Sequence, residues 1–287
     1  MGMTPGVSVI PIAVFYDEAM IADSESYSPG SSKPRPVVQA CLHQQLSIEV
    51  KAFPPVTRED LFLAHNPEYV SGVLEGRIPN GFGNCSKDVA RSLPYTSGAM
   101  LAAARHALEH GIACAPVGGF HHAHFDGASG FCTFNGLLVT VIKLLNEGRV
   151  RRVMILDTDQ HLGDGTDDIL TRLSLYDRVE HMSFGRLYKV PDEADNYLRR
   201  LRDKVSDLAG YDLILFHTGA DTHVDDPLGG VLTTKQMMMR DRMVFKAARS
   251  AGVPLAWCLA GGYQKPLSKV IDLHVNTMKE CIAAYSP

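Results

Sequence analysis

The sequence predicts a single α/β domain that spans residues 1–287 and has a mostly parallel central sheet with helices on both faces. Short apolar runs rich in β-branched residues recur along the chain. Several of these runs are continuously apolar, which suits strands that are covered on both faces. Longer segments with helical spacing lie between the runs, and strands that alternate with helices form parallel sheets.

Six apolar runs have the length and the residue types of strands. They are residues 7–15, 48–53, 112–117, 153–156, 213–216 and 253–259. The segments between them predict helices at residues 97–110, 137–147, 192–208 and 234–250. Three of these helices stop at Gly111, Gly148 or Gly252, and residues 57–60 resemble an N-terminal capping box with Asp60 in place of the usual Glu. Residues 24–36 and 78–84 are rich in Ser, Pro, Gly and Asn, which favours loops.

The composition argues against a nucleic-acid-binding, disulfide-bonded, secreted or membrane-spanning protein. The chain has 287 residues and a net charge of -4 without a basic block, so we expect no nucleic-acid partner. The six cysteines form no C-x-x-C pair, which favours buried thiols in a reducing compartment. We expect no signal peptide at Met1 and no membrane span, and therefore a cytoplasmic protein.

Polar clusters follow four of the predicted strands, at the edge of the sheet where α/β proteins bind ligands. The clusters are residues 118–124 (GGFHHAH), 157–165 (DTDQHLGDG), 217–221 (HTGAD) and 260–263 (AGGY). Because the carboxyl ends of parallel strands meet at one edge, we expect the four clusters to form one site.

The second and third clusters contain a candidate metal site. Asp159 and His161 are two positions apart, so at the end of a strand their side chains lie on one face. Carboxylate and imidazole groups are both ligands of zinc-class metals. Asp221 would complete a site with three protein ligands and an open position, which is typical of catalytic zinc.

The tandem pair His121–His122 is a candidate for proton transfer. The preceding glycines 118–119 give the loop the freedom to aim both imidazoles inward. Two imidazoles beside a metal suit a general base and a general acid. Asp157 and Asp164 are available to fix their tautomers.

Two further side chains lie close to this edge in the sequence. His124 is expected at the rim without a role. Tyr263 follows two glycines, where its hydroxyl can donate a hydrogen bond to a developing oxyanion.

Taken together, the clusters resemble the histone-deacetylase superfamily, which has the arginase/deacetylase fold and includes acetylpolyamine amidohydrolases and bacterial deacetylase-like proteins. The matching stretches are GGFHH at 118–122, SGFC at 129–132 with Asn135, DTDQH at 157–161 with GDGT at 163–166, GAD at 219–221 with DPLGG at 226–230, and GGY at 261–263. They extend the similarity from about Leu61 to near Tyr285. Details such as Arg240-Asp241 and Gln264 look closest to class IV.

The resemblance implies roles for individual residues. Asp159, His161 and Asp221 would bind one Zn²⁺ per chain, and Tyr263 would polarise the substrate carbonyl. His121 and His122 would form the catalytic dyad, backed by Asp157 and Asp164. The substrate tunnel would be lined by Gly130, Phe131, Leu228, Gly261 and Gly262. A K⁺ ion would be bound by Asp157 and by backbone carbonyls of Asp159 and His161, with Glu180 in place of a usual Ser. Arg35 would match a buried Arg of the family.

The resulting hypothesis is a zinc-dependent amide hydrolase that removes an acyl group from an acyl-lysine or acyl-amine substrate. An acetylpolyamine amidohydrolase is the first alternative. A non-catalytic acyl-lysine-binding protein and a binuclear manganese ureohydrolase are less favoured. The latter enzymes need a D-x-H-x-D run, and here Gly163 stands two positions after His161, where it cannot bind a metal through a side chain.

Overall fold

The computed structural model describes residues 10–286, and its strands form one parallel sheet. The strands are β1 (Ile12–Phe15), β2 (Ile48–Lys51), β3 (Ile112–Ala115), β4 (Val153–Asp157), β5 (Val179–Ser183), β6 (Leu213–His217) and β7 (Leu255–Cys258). The α-helices are α1 (Pro34–His43), α2 (Arg58–Leu61), α3 (Pro67–Leu74), α4 (Lys87–His110), α5 (Gly136–Asn146), α6 (Asp164–Arg172), α7 (Ala194–Val205), α8 (Thr234–Ala251) and α9 (Ser268–Tyr285). Short 3₁₀ helices occur at Glu18–Met20, Phe184–Arg186, Pro191–Glu193 and Ala220–Thr222. Residues 7–9 of the first predicted strand, and the predicted absence of a signal peptide at Met1, lie outside the described residues.

The sheet has the strand order β2-β1-β3-β7-β6-β4-β5. Every pairing between these strands is parallel, so all of their carboxyl ends lie at one edge. The strands that precede the four polar clusters, β3, β7, β6 and β4, are consecutive in this order. The predicted α/β fold class is therefore confirmed, and the topology gathers the four clusters at the middle of one edge.

Alternate residues of β1, β3, β4, β6 and β7 pack into two cores on opposite faces of the sheet. In β4, Val153 and Ile155 pack with apolar residues of α4 and α5, whereas Met154 and Leu156 pack with those of α7, α8 and α9. Because successive side chains of a strand point to opposite faces, a strand between two cores must be apolar throughout. This requirement explains the continuous apolar runs in the sequence.

The helix boundaries confirm the predicted start and stop signals. The Thr57 hydroxyl accepts a hydrogen bond from the backbone N–H of Asp60 at 3.2 Å, and the Asp60 carboxylate accepts one from the N–H of Thr57 at 3.0 Å. Gly111, Gly148 and Gly252 follow helices with φ of +90°, +67° and +67°, a backbone region that glycine adopts without strain. Between residues 10 and 286, no helix has both the length and the apolar character needed to cross a membrane.

Several elements differ from the prediction. The edge strand β5 was not predicted, because its five residues include only two large apolar side chains. Helix α4 begins at Lys87 rather than at residue 97, despite Pro94 in its interior. Helix α1 begins at Pro34, inside the predicted loop 24–36, because proline suits the first turn of a helix. Helices α3, α6 and α9 were also not predicted.

Candidate active site

The three predicted metal ligands meet at the carboxyl ends of β4 and β6. One ligand atom from each of Asp159, His161 and Asp221 lies within 4.8 Å of the other two. The Nδ1 atom of His161 is 2.9 Å from Asp221 Oδ2 and 3.2 Å from Asp159 Oδ1. Both carboxylates are buried, whereas the imidazole of His161 is 34% exposed. The cluster is therefore buried on the side of the two carboxylates and open to solvent on the side of His161.

Backbone N–H groups of neighbouring loops orient the two carboxylates. The N–H of Gly261 donates to Asp159 Oδ2 at 3.0 Å, and the N–H of Gln160 donates to Asp221 Oδ1 at 3.2 Å. A Cβ atom on Gly261 would lie 2.5 Å from Asp221 Oδ2 and 2.7 Å from Asp159 Oδ2. Only glycine therefore lets the 260–263 loop approach the carboxylates so closely.

The charge of this cluster fits a divalent cation. Burial, followed by the negative charge of Asp159, raises the pKa of Asp221 to about 7. Two buried carboxylates at this distance repel each other unless a positive charge lies between them. Two oxygen donors and one imidazole nitrogen match the ligand preferences of zinc-class ions. Asp159, His161 and Asp221 together therefore fit a divalent metal.

The tandem histidines lie directly beside this cluster. Their rings are 4.1 Å apart. The Nδ1 atom of His121 is 2.8 Å from Asp157 Oδ2, and that of His122 is 2.5 Å from Asp164 Oδ1. The Nε2 atom of His121 lies 3.6 Å from Asp159 Oδ1, so this imidazole faces the metal cluster. Each histidine therefore has the carboxylate partner that the sequence predicted.

The two imidazoles differ in electrostatic environment. Burial lowers the pKa of His121, but the nearby Asp157 and Asp159 outweigh it and raise the pKa to about 9. Burial and then the positive charge of His121 lower the pKa of His122, against the opposing effect of Asp164. A pair whose pKa values are shifted in opposite directions is suited to different acid–base roles.

Two histidines without a predicted role also contact the buried Asp157. The Nδ1–H of His217 donates to Asp157 Oδ1 at 3.0 Å, and its Nε2 accepts from the N–H of Phe120 at 3.3 Å. The Nε2 atom of His181 lies 3.5 Å from Asp157 Oδ2. The strand-end cluster at 217–221 contained a signal for His217. No comparable signal was available for His181, because strand β5 was not predicted.

Tyr263 keeps a protonated hydroxyl next to these acids. Burial, followed by the negative charges of Asp221 and Asp159, raises the pKa of Tyr263. Its backbone N–H donates to Asp226 Oδ2 at 2.8 Å, which fixes the loop that carries it. The hydroxyl therefore stays protonated at neutral pH and can donate a hydrogen bond.

The predicted tunnel residues other than Gly262 lie next to the carboxylates, the tandem histidines or Tyr263. Gly130 contacts the imidazole of His122, where a Cβ atom would clash with the ring. The ring of Phe131 is 5.7 Å from that of Tyr263 and 5.2 Å from that of Tyr27. A cavity of about 490 Å³ beside Tyr263 is lined by Tyr27, Asp225, Pro227, Leu228, Gln264, Lys265 and Lys269. Gly262 differs from the other tunnel residues, because its Cβ direction points to Val270 and Ala220.

Two expectations about single residues are wrong. Arg35 is exposed and pairs with Glu18, and the buried cation of this segment is Lys33. The Lys33 ammonium donates to the carbonyl of Gly261 at 2.8 Å and to that of Ala260. Burial lowers the pKa of Lys33 to about 8. The buried position is thus two residues earlier than the resemblance implied.

Glu180 does not lie beside Asp157. It is paired in register with Met154 and contacts Lys204 and Tyr211, whereas Ser183 is the β5 residue in register with Asp157. The displacement has a simple cause, because the carboxyl end of β5 lies three positions beyond Glu180. His124 is partly exposed, with its Nε2 3.4 Å from Asp164 Oδ2, as expected for a residue at the rim.

Comparisons with known proteins agree with this fold and site. Residues 32–190 match the family model described as Histone deacetylase domain. An uncharacterised protein of Picosynechococcus sp. is 32% identical over 236 residues, which cover 75% of this chain and 78% of that protein. Histone deacetylase 2 of Arabidopsis thaliana is 30% identical over 194 residues, which cover 61% of this chain and 50% of that protein. The chain thus spans only half the length of this named relative.

Two solved structures share the fold. The HDA15 HD domain superposes with a TM-score of 0.78 at 17% identity, covering 96% of this chain and 91% of that chain. An acetylpolyamine aminohydrolase from Burkholderia pseudomallei gives a TM-score of 0.73 at 16% identity, covering 95% and 99%. The family match covers more than half of the chain, and its motifs lie around one site. The chain belongs to the histone deacetylase family, whose fold it shares with an acetylpolyamine aminohydrolase.

Proposed function

We propose that this protein is a metal-dependent deacylase that hydrolyses the amide bond of an acyl-lysine or a related acyl-amine. One observation carries the proposal. Two buried carboxylates and an imidazole nitrogen lie within 4.8 Å of one another, next to two histidines that each have their own carboxylate. This combination supplies metal ligands and proton-transfer groups in one place.

Asp159, His161 and Asp221 would hold the metal, for which we propose one Zn²⁺ per chain. When bound, such an ion supplies Lewis acidity toward a substrate carbonyl and toward water. His161 is the most exposed of the three residues, so the side opposite the buried carboxylates is the side from which substrate approaches.

Side chains of this protein would transfer the protons and stabilise the negative charge that develops on the substrate carbonyl. His122, with Nδ1 held by Asp164, is placed to accept the proton of an attacking water at Nε2 and to return a proton to the leaving amine. His121 contributes positive charge beside the reacting centre. The protonated Tyr263 hydroxyl donates to the carbonyl oxygen as negative charge develops there. Gly130 and Phe131 would enclose the aliphatic chain next to the imidazole of His122.

The binuclear manganese alternative finds no support at Gly163. A Cβ atom there would lie 2.7 Å from Asp157 Oδ2 and 2.9 Å from a ring carbon of His181. A carboxylate at this position would therefore need a different arrangement of β4 and β5. The class IV assignment, the acyl-chain preference and a K⁺ ion near Asp157 stay predictions.

A substrate panel tests the proposal. Zinc-loaded protein is incubated with acetyl-, trifluoroacetyl-, octanoyl- and myristoyl-lysine peptides and with acetylpolyamines, with and without a chelator. We expect chelator-sensitive release of the free amine from at least one acyl-lysine peptide. Preferential hydrolysis of an acetylpolyamine would instead favour the polyamine alternative.

Two variants serve as controls for this panel. Asp159→Ala removes a proposed ligand and should abolish hydrolysis. Asp203→Ala removes an exposed carboxylate on α7 and should leave it unchanged. If the zinc-loaded protein bound acyl-lysine peptides but hydrolysed nothing in the panel, it would be a binding protein and the proposal would fail.

A further inference from the structure

A fully buried guanidinium lies behind the two loops that carry the predicted metal ligands. Arg240 of α8 has no exposed surface. Its Nη1 donates to the carbonyl of Gly219 at 2.9 Å and is 3.4 Å from the carbonyl of Thr158. Its Nε donates to Asp241 Oδ1 at 2.7 Å. A single side chain thus contacts the backbone after both β4 and β6.

These two carbonyls are close in sequence to the predicted ligands. Thr158 directly precedes Asp159, and Gly219 lies two positions before Asp221. The Thr222 hydroxyl contacts the same two carbonyl oxygens, at 2.7 Å from that of Thr158 and 3.1 Å from that of Gly219. Arg240 and Thr222 therefore both contact the backbone carbonyls that lie next to Asp159 and two positions before Asp221. We infer that these contacts fix the positions of the two carboxylates.

The residue type also matters at this position. Burying a guanidinium is costly unless its charge is paired, and Nη2 of Arg240 has no hydrogen-bond partner among the residues that the structure describes. Asp241 supplies the counter-charge, and Asp241 Oδ2 in turn accepts from the Thr277 hydroxyl of α9 at 2.6 Å. An arginine offers several donors in a fixed plane, so it can contact Asp241 and both carbonyls at once, whereas a lysine ammonium cannot span them.

We propose that Arg240 is a positioning residue that sets the spacing between Asp159 and Asp221 through their backbone and thereby determines the affinity for the metal. The inference rests on the proposed metal-dependent function. Arg240 does not line the cavity beside Tyr263 and does not contact the tandem histidines, so we expect its effect on metal binding and not on substrate binding.

The test compares the Zn²⁺ dissociation constant of wild-type protein with that of Arg240→Lys, by competition with a chromogenic chelator. Loss of a group that orients metal ligands typically weakens metal binding about 10–100-fold, and we expect an effect in this range. We also expect the KM for an acyl-lysine peptide at saturating zinc to be unchanged, because the substrate cavity is intact.

The matched control is Arg242→Lys. Arg242 lies on the same helix, and the substitution is the same one, arginine to lysine. Arg242 makes two 2.7 Å hydrogen bonds to Glu280 of α9, which is not part of the loops that carry the proposed ligands. Urea unfolding of both variants measures their loss of stability. We expect Arg242→Lys to leave the dissociation constant for zinc unchanged, even if its stability falls as much as that of Arg240→Lys.

The outcomes are distinguishable. Unchanged zinc affinity in Arg240→Lys, or an equal loss in Arg242→Lys, would overturn the role of Arg240 and leave the proposed function standing. Failure of the wild-type protein to bind zinc would overturn the proposed function itself. If Arg240→Lys does not fold, Arg240→Gln, which keeps an N–H donor but not the fixed fork, replaces it in the same zinc competition assay. It should weaken zinc binding, and unchanged affinity in that variant overturns the inference.

Discussion

Gly261 and Tyr263, two residues of one loop, each make a separate contribution to the candidate site. Gly261 brings its N–H to 3.0 Å from Asp159 Oδ2, at a position where even a methyl group would displace the carboxylates. Two positions later, the same two acids and burial raise the pKa of the Tyr263 hydroxyl. The loop at residues 260–263 therefore orients a proposed ligand and supplies a hydroxyl that is protonated at neutral pH.

Replacing the Tyr263 hydroxyl should affect turnover without affecting the metal. Tyr263→Phe removes a donor aimed at developing negative charge, and loss of one such donor typically lowers kcat about 10²–10³-fold. The zinc dissociation constant should not change, because the hydroxyl is not a proposed ligand. Steady-state kinetics on the best acyl-lysine peptide, together with a zinc competition assay, measure both quantities.

Tyr27→Phe is the control for this prediction. Tyr27 lines the same cavity and is 67% exposed, and we assign its hydroxyl no role in the reaction. We expect its kcat to match that of the wild-type protein. A Tyr263→Phe variant with wild-type kcat would show that the hydroxyl has no role in the reaction.

Among the strands, those that are buried on both faces of the sheet could be predicted from the sequence, whereas the edge strand β5 could not. Strands β3, β4, β6 and β7 were predictable because burial on both faces forces continuous apolar runs. Their polar ends then located the candidate site. The edge strand β5 lies at the border of the sheet and lacks such a run, and so His181, which lies near Asp157, was not found.

The start of α4 was missed for a different reason. Pro94 normally ends a helix because it lacks an N–H and clashes with the preceding turn. Here the carbonyl of Pro94 accepts a hydrogen bond from the N–H of Val56 at 3.1 Å, and Gly98 packs against the carbonyl of Pro54. A loop distant in sequence thus crosses the helix at this point, and no local pattern reports such a contact.

A helix stop that the sequence did reveal can be tested by its energetics. Gly252 ends α8 with φ of +67°, and no atom lies within 4 Å of a Cβ built there. Gly252→Ala should therefore cost only the backbone penalty for a left-handed residue, about 1–2 kcal/mol in the free energy of unfolding. Equilibrium unfolding in urea measures this loss, and deacylase activity should not change.

Two substitutions separate the backbone penalty from other effects. Gly252→Asn should cost less than Gly252→Ala, because asparagine adopts the left-handed region more readily. Gly127→Ala also meets no atom within 4 Å, but its backbone is outside that region, so it should not lose stability through strain. Equal stability of Gly252→Ala and the wild-type protein would contradict the assigned helix end.

At the scale of the whole molecule, the parallel sheet connects packing with chemistry. Two cores fix the strands from opposite faces, and the strand order brings four loops to the middle of one edge. The three predicted metal ligands come from two of these loops, so a bound metal would link β4 to β6. The topology of the sheet thus brings the ligands together, whereas the proposed affinity for the metal depends on buried groups that contact the two ligand loops, such as Arg240.

A zinc titration of metal-free protein, monitored by calorimetry and by deacylase activity in the same samples, shows whether one bound metal ion is responsible for deacylation. We expect saturation at one Zn²⁺ per chain, with activity rising in proportion to zinc occupancy, and no zinc binding at this site in Asp159→Ala. Saturation at two ions per chain, or deacylase activity that persists in metal-free protein, would contradict it.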